Sequence, residues 1–303
     1  MTTTALPLVL GGNVFGWTAD ETASHQVLDA FVGAGGSLVD TADGYSAWVP
    51  GNSGGDSETI IGRWFAASGR RDEVALATKV SQHPQFRGLA ADNVAAAARA
   101  SLRRLQTDRI DLYYAHFDDE SVPLVETVAA FSRLVDEGLV RTIGVSNYTP
   151  ERVAQWWTIA EQEGLHRPVA LQPRYNLVER DYESSYRPLV ERLGLDVYPY
   201  YGLASGFLTG KYRDGADVDS ARAQGASRYL DDRGRRVLAV LDEVAAAHAT
   251  PVAAVSLAWL RQQPTVTAPI ASARTVEQVQ DLVASAEVTL TPDELEALAA
   301  ASF

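Results

Sequence analysis

Asp40, Lys79 and His116 each sit at the close of a short apolar run, and Tyr45 follows shortly after Asp40. These residue types together can give a proton to a carbonyl oxygen while a hydride arrives at its carbon. A phenol with an unperturbed pKa of about 10 is a poor acid for this. A neighbouring ammonium stabilises the phenolate and lowers that pKa, and a carboxylate holds the ammonium in place. An imidazole beside them can hydrogen-bond the carbonyl oxygen and orient it. Ser146 with Asn147, and Gln172, end two further runs in the same way. Any one such residue is equally well the first residue of a loop. The set matters because its members come from different segments.

The segments that must position these groups form a repeating pattern. Apolar runs at 6–13, 37–43, 74–80, 110–117, 140–147, 169–175, 195–200 and 266–271 read as strands. Between and after them lie stretches with helical periodicity, at 57–69, 93–105, 124–137, 151–163, 188–193, 235–247 and 275–285. Thr149-Pro150 reads as an N-cap followed by proline at the first helical position. Gly69, Gly138, Gly164 and Gly194 stand where helices should stop. Continuous apolar strands separated by helices imply a parallel sheet covered by helices.

Eight such units imply a (β/α)8 TIM barrel with its active site at the C-terminal ends of the strands. An open dinucleotide-binding sheet is disfavoured, because Gly11-Gly12-Asn13 does not complete GxGxxG before a helix. The chain has 303 residues, more than the roughly 250 of a typical single barrel. No linker composition divides it, so one domain over 1–303 is expected. The polar, glycine-bearing stretch 214–234 reads as a long loop over the barrel mouth.

Composition removes several function classes. The absence of cysteine excludes disulfides, thiolate metal sites, iron–sulfur clusters and cysteine nucleophiles. A formal charge of −13 with no basic stripe disfavours a nucleic-acid partner. No stretch approaches the roughly 20 apolar residues of a membrane span. Residues 1–10 show neither the basic start nor the apolar run of a signal peptide. The expectation is a soluble cytoplasmic protein with no membrane partner. His25, His83, His166 and His248 lack metal-ligand spacing, and no metal is expected. The oligomeric state is not legible in the sequence.

Four motifs in register complete the reading. Asp40-Thr41-Ala42-Asp43-Gly44-Tyr45, Thr78-Lys79, Asp111-Leu112-Tyr113-Tyr114-Ala115-His116 and Gly144-Val145-Ser146-Asn147 together resemble the aldo-keto reductases, over nearly the whole chain. The resemblance implies a catalytic tetrad on Asp40, Tyr45, Lys79 and His116, and reversible NADPH-dependent interconversion of a small carbonyl substrate and its alcohol. It implies that Ser146, Asn147 and Gln172 hold the nicotinamide carboxamide and that Tyr200 stacks under the ring. The segment 202–212 resembles the loop that crosses the pyrophosphate in bacterial members, with Leu203, Ser205, Gly206, Leu208, Gly210 and Lys211 as contacts. Taken alone, the same segment reads as an ordinary glycine-rich turn. Ser272 and Arg274, before a helix carrying Gln278, suit a 2′-phosphate and favour NADP(H). Arg274 as a plain surface residue is the alternative.

The chain departs from the family pattern in three places. Leu282 stands where many members have an asparagine at the adenine, Tyr201 replaces a common serine, and the loop 46–56 is long. Phe15, Trp17, Trp48, His83 and Phe117 are the candidate substrate-pocket residues. Their aromatic character suits either an apolar carbonyl or a sugar ring stacked on indole. Two other readings stay open: a cofactor-binding auxiliary or sensor protein with little turnover, and hydrolysis by Asp118-Asp119-Glu120, a run that otherwise forms a solvated loop.

Overall fold

A computed structural model describes residues 6–214, 218 and 220–303. Among the described residues the strands are β1 (Val9–Gly11), β2 (Leu38–Asp40), β3 (Ala75–Val80), β4 (Gln82–His83), β5 (Phe86–Arg87), β6 (Ile110–Ala115), β7 (Val140–Ser146), β8 (Pro168–Gln172), β9 (Asp196–Val197) and β10 (Ile270–Ala271). The antiparallel pair β4–β5 forms a small hairpin beside the main sheet. The other eight strands make one curled parallel sheet in the order β10-β1-β2-β3-β6-β7-β8-β9.

Each apolar run became a strand, but several strands are shorter than their runs. The reason is clearest at the seam between β9 and β10. Pro199 and Pro269 carry no backbone donor there, so a regular ladder cannot form. The seam has one parallel bridge, Val197 to Val266. Thr267 N also donates to Val197 O (2.9 Å) and Ile270 N to Pro199 O (2.9 Å).

Helices cover the outside. They are α1 (Glu21–Gly33), α2 (Asp56–Ser68), α3 (Ala91–Leu105), α4 (Leu124–Asp136), α5 (Pro150–Glu163), α6 (Tyr182–Ser185), α7 (Arg187–Leu193), α8 (Ala223–Ser227), α9 (Asp232–Ala247), α10 (Val252–Arg261), α11 (Val276–Val283) and α12 (Pro292–Ala301). The expected cap at Thr149 is present, with its side chain accepting from Arg152 N. Helices α1, α10 and α12 fall outside the stretches that periodicity singled out. Helix α10 is buried along almost its whole length and so has no polar face to mark it.

Inside the sheet, Val9, Leu38, Ala77, Leu112, Tyr114, Ala170, Tyr198, Ala268 and Ile270 pack together. Tyr114 fits only because its neighbour across the ladder is Gly144. A Cβ there would lie 2.4 Å from the Tyr114 ring. Larger clusters fill the space between sheet and helices.

Register sets the rim. Gly11 pairs with Asp40, Lys79 with Tyr114, Ala115 with Val145, and Ser146 with Gln172. Because the strands are parallel, their polar C-terminal residues share one face. In the segment 214–234, α8 and Arg222 are described and Arg222 lines the cleft at that face. Residues 215–217 and 219 of the segment lie outside the described residues, as do residues 1–5 of the opening stretch. Among the described residues, no single helix is long and apolar enough to cross a membrane.

Candidate active site

Lys79 is the centre of the rim. Its side chain is fully buried, and its Nζ donates to Asp40 Oδ2 (2.5 Å), Thr41 O (2.7 Å) and Tyr45 OH (3.4 Å). Asp40 Oδ1 accepts from Gln172 Nε2 (2.8 Å), so both carboxylate oxygens are engaged. Burial alone pushes the Lys79 pKa down. Asp40, and then Tyr45, outweigh it and hold the ammonium above its ordinary pKa.

Tyr45 differs from the expectation in one respect. Burial pushes its pKa up, and although Lys79 pulls it down, the net direction is upward, with Asp40 adding to the rise. The lysine acts in the expected sense but does not win. The Tyr45 phenol therefore stays protonated across the physiological range. His116 stands 6.0 Å from it, ring to ring. Burial, and then Lys79, hold its pKa well below the ordinary histidine value. The imidazole is neutral, and among the described residues its Nδ1 has no hydrogen-bond partner.

The next group is equally tight. Ser146 Oγ donates to Gln172 O (2.9 Å). Asn147 adopts a left-handed backbone (φ 54°). Its Nδ2 donates to His116 O (2.8 Å), and its Oδ1 accepts from Tyr200 OH (2.9 Å). Asn147 Nδ2 also donates to Ser146 Oγ (3.1 Å), so four residues expected to act together are one hydrogen-bonded unit.

From Asp40 and Tyr45 a cleft of about 540 Å³ runs along the rim to Leu282. It is lined by Trp17, Gln172, Tyr200, Leu203, Ser205, Gly206, Lys211, Ser272, Arg274 and Gln278. Ser205 and Gly206 are both left-handed (φ 58° and 92°), and Gly206 N donates to Leu203 O (2.8 Å), which closes a tight turn at the cleft edge. Gly11 lets Ser272 approach, since a Cβ there would lie 2.6 Å from Ser272 Oγ. At the start of α11, Thr275 caps the helix and Gln278 Oε1 accepts from Arg274 N (2.8 Å). Cavities of this size hold small molecules and cofactors.

Not every expected residue reaches the cleft. Phe15 is fully buried, its ring turned inward against Gly12. Leu208 is fully buried as well, its carbonyl accepting from Ser256 Oγ. Gly210 lies behind the loop against Val252. His83 sits in the hairpin, buried, with Nδ1 accepting from Gln85 N (3.1 Å). Trp48 and Phe117 are exposed beside Tyr45 and His116 respectively.

The structure also brings in residues the sequence did not single out. Arg222 crosses the cleft, with NH2 donating to Asn13 Oδ1 (3.3 Å) and its guanidinium 5.4 Å from the Trp17 ring. Ser272 Oγ donates to the same Asn13 oxygen (2.7 Å). Among the described residues, Lys211, Arg222 and Arg274 form no ion pair, although the chain as a whole is acidic. No group of acidic or histidine side chains that would hold a metal is found among the described residues. Asp118 is tied to Arg152 by two hydrogen bonds (2.6 and 2.9 Å), so the acidic run after β6 offers no free carboxylate pair there.

Comparison with known proteins gives the family. The family model described as "Aldo/keto reductase family" matches residues 7–302. The uncharacterized oxidoreductase YrpG of Bacillus subtilis is 35% identical, over 96% of this chain and 90% of its own. The protein Tas of Escherichia coli is 31% identical, over 95% and 91%. Norsolorinic acid reductase B of Aspergillus parasiticus is 31% identical, over 96% and 79%.

Proposed function

This chain belongs to the aldo/keto reductase family, and from that membership we propose that it reduces an aldehyde or ketone to the alcohol, reversibly, using NADPH, with Tyr45 as proton donor. One observation carries the reading: a buried ammonium, fixed by Asp40, points at a phenol beside a neutral imidazole, where a long cleft begins.

The residues fit a dinucleotide phosphate. Three cations without ion pairs among the described residues line the cleft, together with the small residues Ser205 and Gly206. Ser146, Asn147 and Gln172 would hold the carboxamide, and Tyr200 would lie under the ring. Leu203, Ser205, Gly206, Lys211 and Arg222 would face the pyrophosphate. Ser272, Arg274 and Gln278 would take the adenosine end, Arg274 meeting the 2′-phosphate. Bound there, the nicotinamide supplies the hydride.

The chain's own residues do the rest. His116, neutral and buried, donates a hydrogen bond to the substrate oxygen and sets its direction. Tyr45 gives that oxygen its proton. Lys79 stabilises the phenolate left behind, and Asp40 holds Lys79 on line. Proton donors of this kind contribute roughly 10²- to 10⁴-fold. We read the sheet, with its seam bonds, as a closed (β/α)8 barrel forming one domain.

A fluorescence titration with NADPH and NADH tests the cofactor, and steady-state reduction of model aldehydes tests the reaction. NADPH binding with no turnover on any carbonyl would return the protein to the auxiliary reading. No binding of either nucleotide would sink the proposal.

A further inference from the structure

Helix α2 begins directly behind Tyr45 and Lys79, and its first turn is built into the rim. Ser57 is fully buried there. Its Oγ donates to Gly12 O (2.8 Å), just past the end of β1. A hydroxyl has one proton to give, so in the 2.8 Å contact between Ser57 Oγ and Thr41 Oγ1 the donor is Thr41. The Ser57 backbone N–H, one of those that a helix start leaves without an internal partner, donates to Tyr45 O (3.3 Å). One residue therefore meets both ends of the turn 41–45, which carries the chain from Asp40 to Tyr45.

Thr41 is a direct link to the lysine. Its N donates to Ala77 O (2.8 Å), and its O accepts from Lys79 Nζ (2.7 Å). That carbonyl is one of the three acceptors that aim the ammonium. The third, Tyr45 OH at 3.4 Å, is the longest of them, so small shifts of the turn tell there first.

Ser57 is a firm anchor because its helix is pinned. Glu58, buried beside it, accepts at Oε1 from Thr78 Oγ1 (2.6 Å) and at Oε2 from Arg104 Nε (2.7 Å). One turn on, Gly62 lies so near the end of α3 that a Cβ there would be 2.1 Å from Arg104 O. The residues lining the cleft include Tyr45 but, among the described residues, neither Ser57 nor Thr41.

We propose that Ser57 is a positioning residue for the reduction: it grips the turn 41–45 at both ends and so sets where the Tyr45 hydroxyl stands relative to Lys79. The inference rests on the reductase reading above and goes beyond it. The backbone contact survives substitution, and the hydroxyl is what demands serine. Removing Oγ leaves the Thr41 hydroxyl buried without its acceptor, a cost that a shift of the turn relieves. Such a shift carries the Thr41 carbonyl and the phenol away from Lys79. A misplacement of about 1 Å can cost roughly 10²-fold in rate.

The test compares Ser57→Ala, Thr41→Val, the double variant and the conservative Thr41→Ser with the wild type. Stopped flow follows a single turnover of bound NADPH with 4-nitrobenzaldehyde, at a temperature where circular dichroism shows each protein folded. Ser57→Ala and Thr41→Val should each slow the turnover roughly tenfold, inside the limit for a small displacement. The double variant should be no slower than either, since all three break one contact. Thr41→Ser should keep the wild-type rate, and NADPH affinity by fluorescence should not change. The slowed variants should lose more rate in heavy water than the wild type does, because a displaced phenol makes the proton transfer limiting. A serine that served stability alone would lower the denaturant midpoint and leave the turnover rate and the heavy-water ratio unmoved, and that result overturns the proposal. Losses that add in the double variant, or a loss confined to NADPH affinity, overturn it too. Should Ser57→Ala not fold, equal rates in Thr41→Val and Thr41→Ser overturn it instead. Each of these leaves the reductase reading intact. A wild type that reduces neither this aldehyde nor any other model aldehyde overturns both.

Discussion

Two buried carboxylates sit at opposite ends of the sheet, and their surroundings separate reaction from architecture. At the N-terminal side, Asp111 Oδ2 accepts from Arg71 NH2 (2.8 Å) and Leu76 N (2.9 Å), and Oδ1 meets Arg141 NH1 (2.9 Å). Arg71 also donates to Thr107 Oγ1, Val74 O and Arg109 O. At the C-terminal side, Asp40 is also fully bonded, to Lys79 and Gln172. The chain of contacts there continues outward and ends unfinished. Lys79 reaches Tyr45 at a loose 3.4 Å, and His116 Nδ1 has no partner among the described residues. At the base, both oxygens of the Asp111 carboxylate are closed off by protein partners. At the mouth, the contacts lead from Asp40 through Lys79 to the Tyr45 hydroxyl, which lines the cleft and is the group we propose a substrate oxygen meets.

Mutation should split the two ends cleanly. Tyr45→Phe should lower kcat by roughly 10³-fold, within the range of a lost general acid. NADPH affinity and thermal stability should barely move, because the hydroxyl holds nothing else in place. Steady-state kinetics beside a fluorescence titration measure both, and an active Tyr45→Phe would remove the tetrad from the mechanism. Asp111→Ala should do the reverse. It leaves Arg71 buried without its counter-charge, a loss of about 3 kcal/mol or more. The denaturant midpoint should fall while the kcat of the folded protein is kept. A fall in kcat with an unmoved midpoint would erase the distinction between the two ends.

The pH profile sharpens the same contrast. Tyr45 is held above its ordinary pKa by burial, and His116 well below its own. The donor must be protonated for reduction, so alkali removes activity only above the ordinary phenol range of about 10. A neutral histidine adds no step near its usual value of about 6.5. Between pH 6 and 9, kcat/KM for reduction should therefore be flat. A break near pH 6.5 would show that His116 titrates, against the burial seen here.

Much of the mouth was legible in the sequence, and the reason is physical. A parallel strand buried on both faces is apolar throughout, so Asp40, Lys79, His116 and Gln172 stand out against it. Arg222 was not legible. It lies in a stretch with no periodicity, and its partner Asn13 is 209 residues away. Phe15 misled for the opposite reason. An aromatic residue beside a rim turns inward or outward according to its backbone, and only the packing on Gly12 decides. Strand lengths failed at β9 and β10, where hydropathy is satisfied but proline removes the donors.

Asp43 tests the contrast on its finest scale, because it sits in the same motif as Asp40 and yet has no cation of its own. It is fully buried, and the guanidinium of the nearby Arg104 is taken by Glu58 at 2.7 Å. Burial first, and then the charge of Glu58, raise its pKa well above the carboxylate value of 3.8. The folded protein therefore keeps a proton that the unfolded chain has lost. Stability must fall as pH rises from that value toward the raised one, since the folded state binds more protons throughout the window. Asparagine has nearly the shape of the neutral acid and cannot titrate. In Asp43→Asn the urea midpoint should thus decline less between pH 5 and pH 8 than it does in the wild type, with turnover at neutral pH little changed. An equal or steeper decline would mean that Asp43 is ionised in the folded protein, and the mouth would then hold a second working carboxylate beside Asp40.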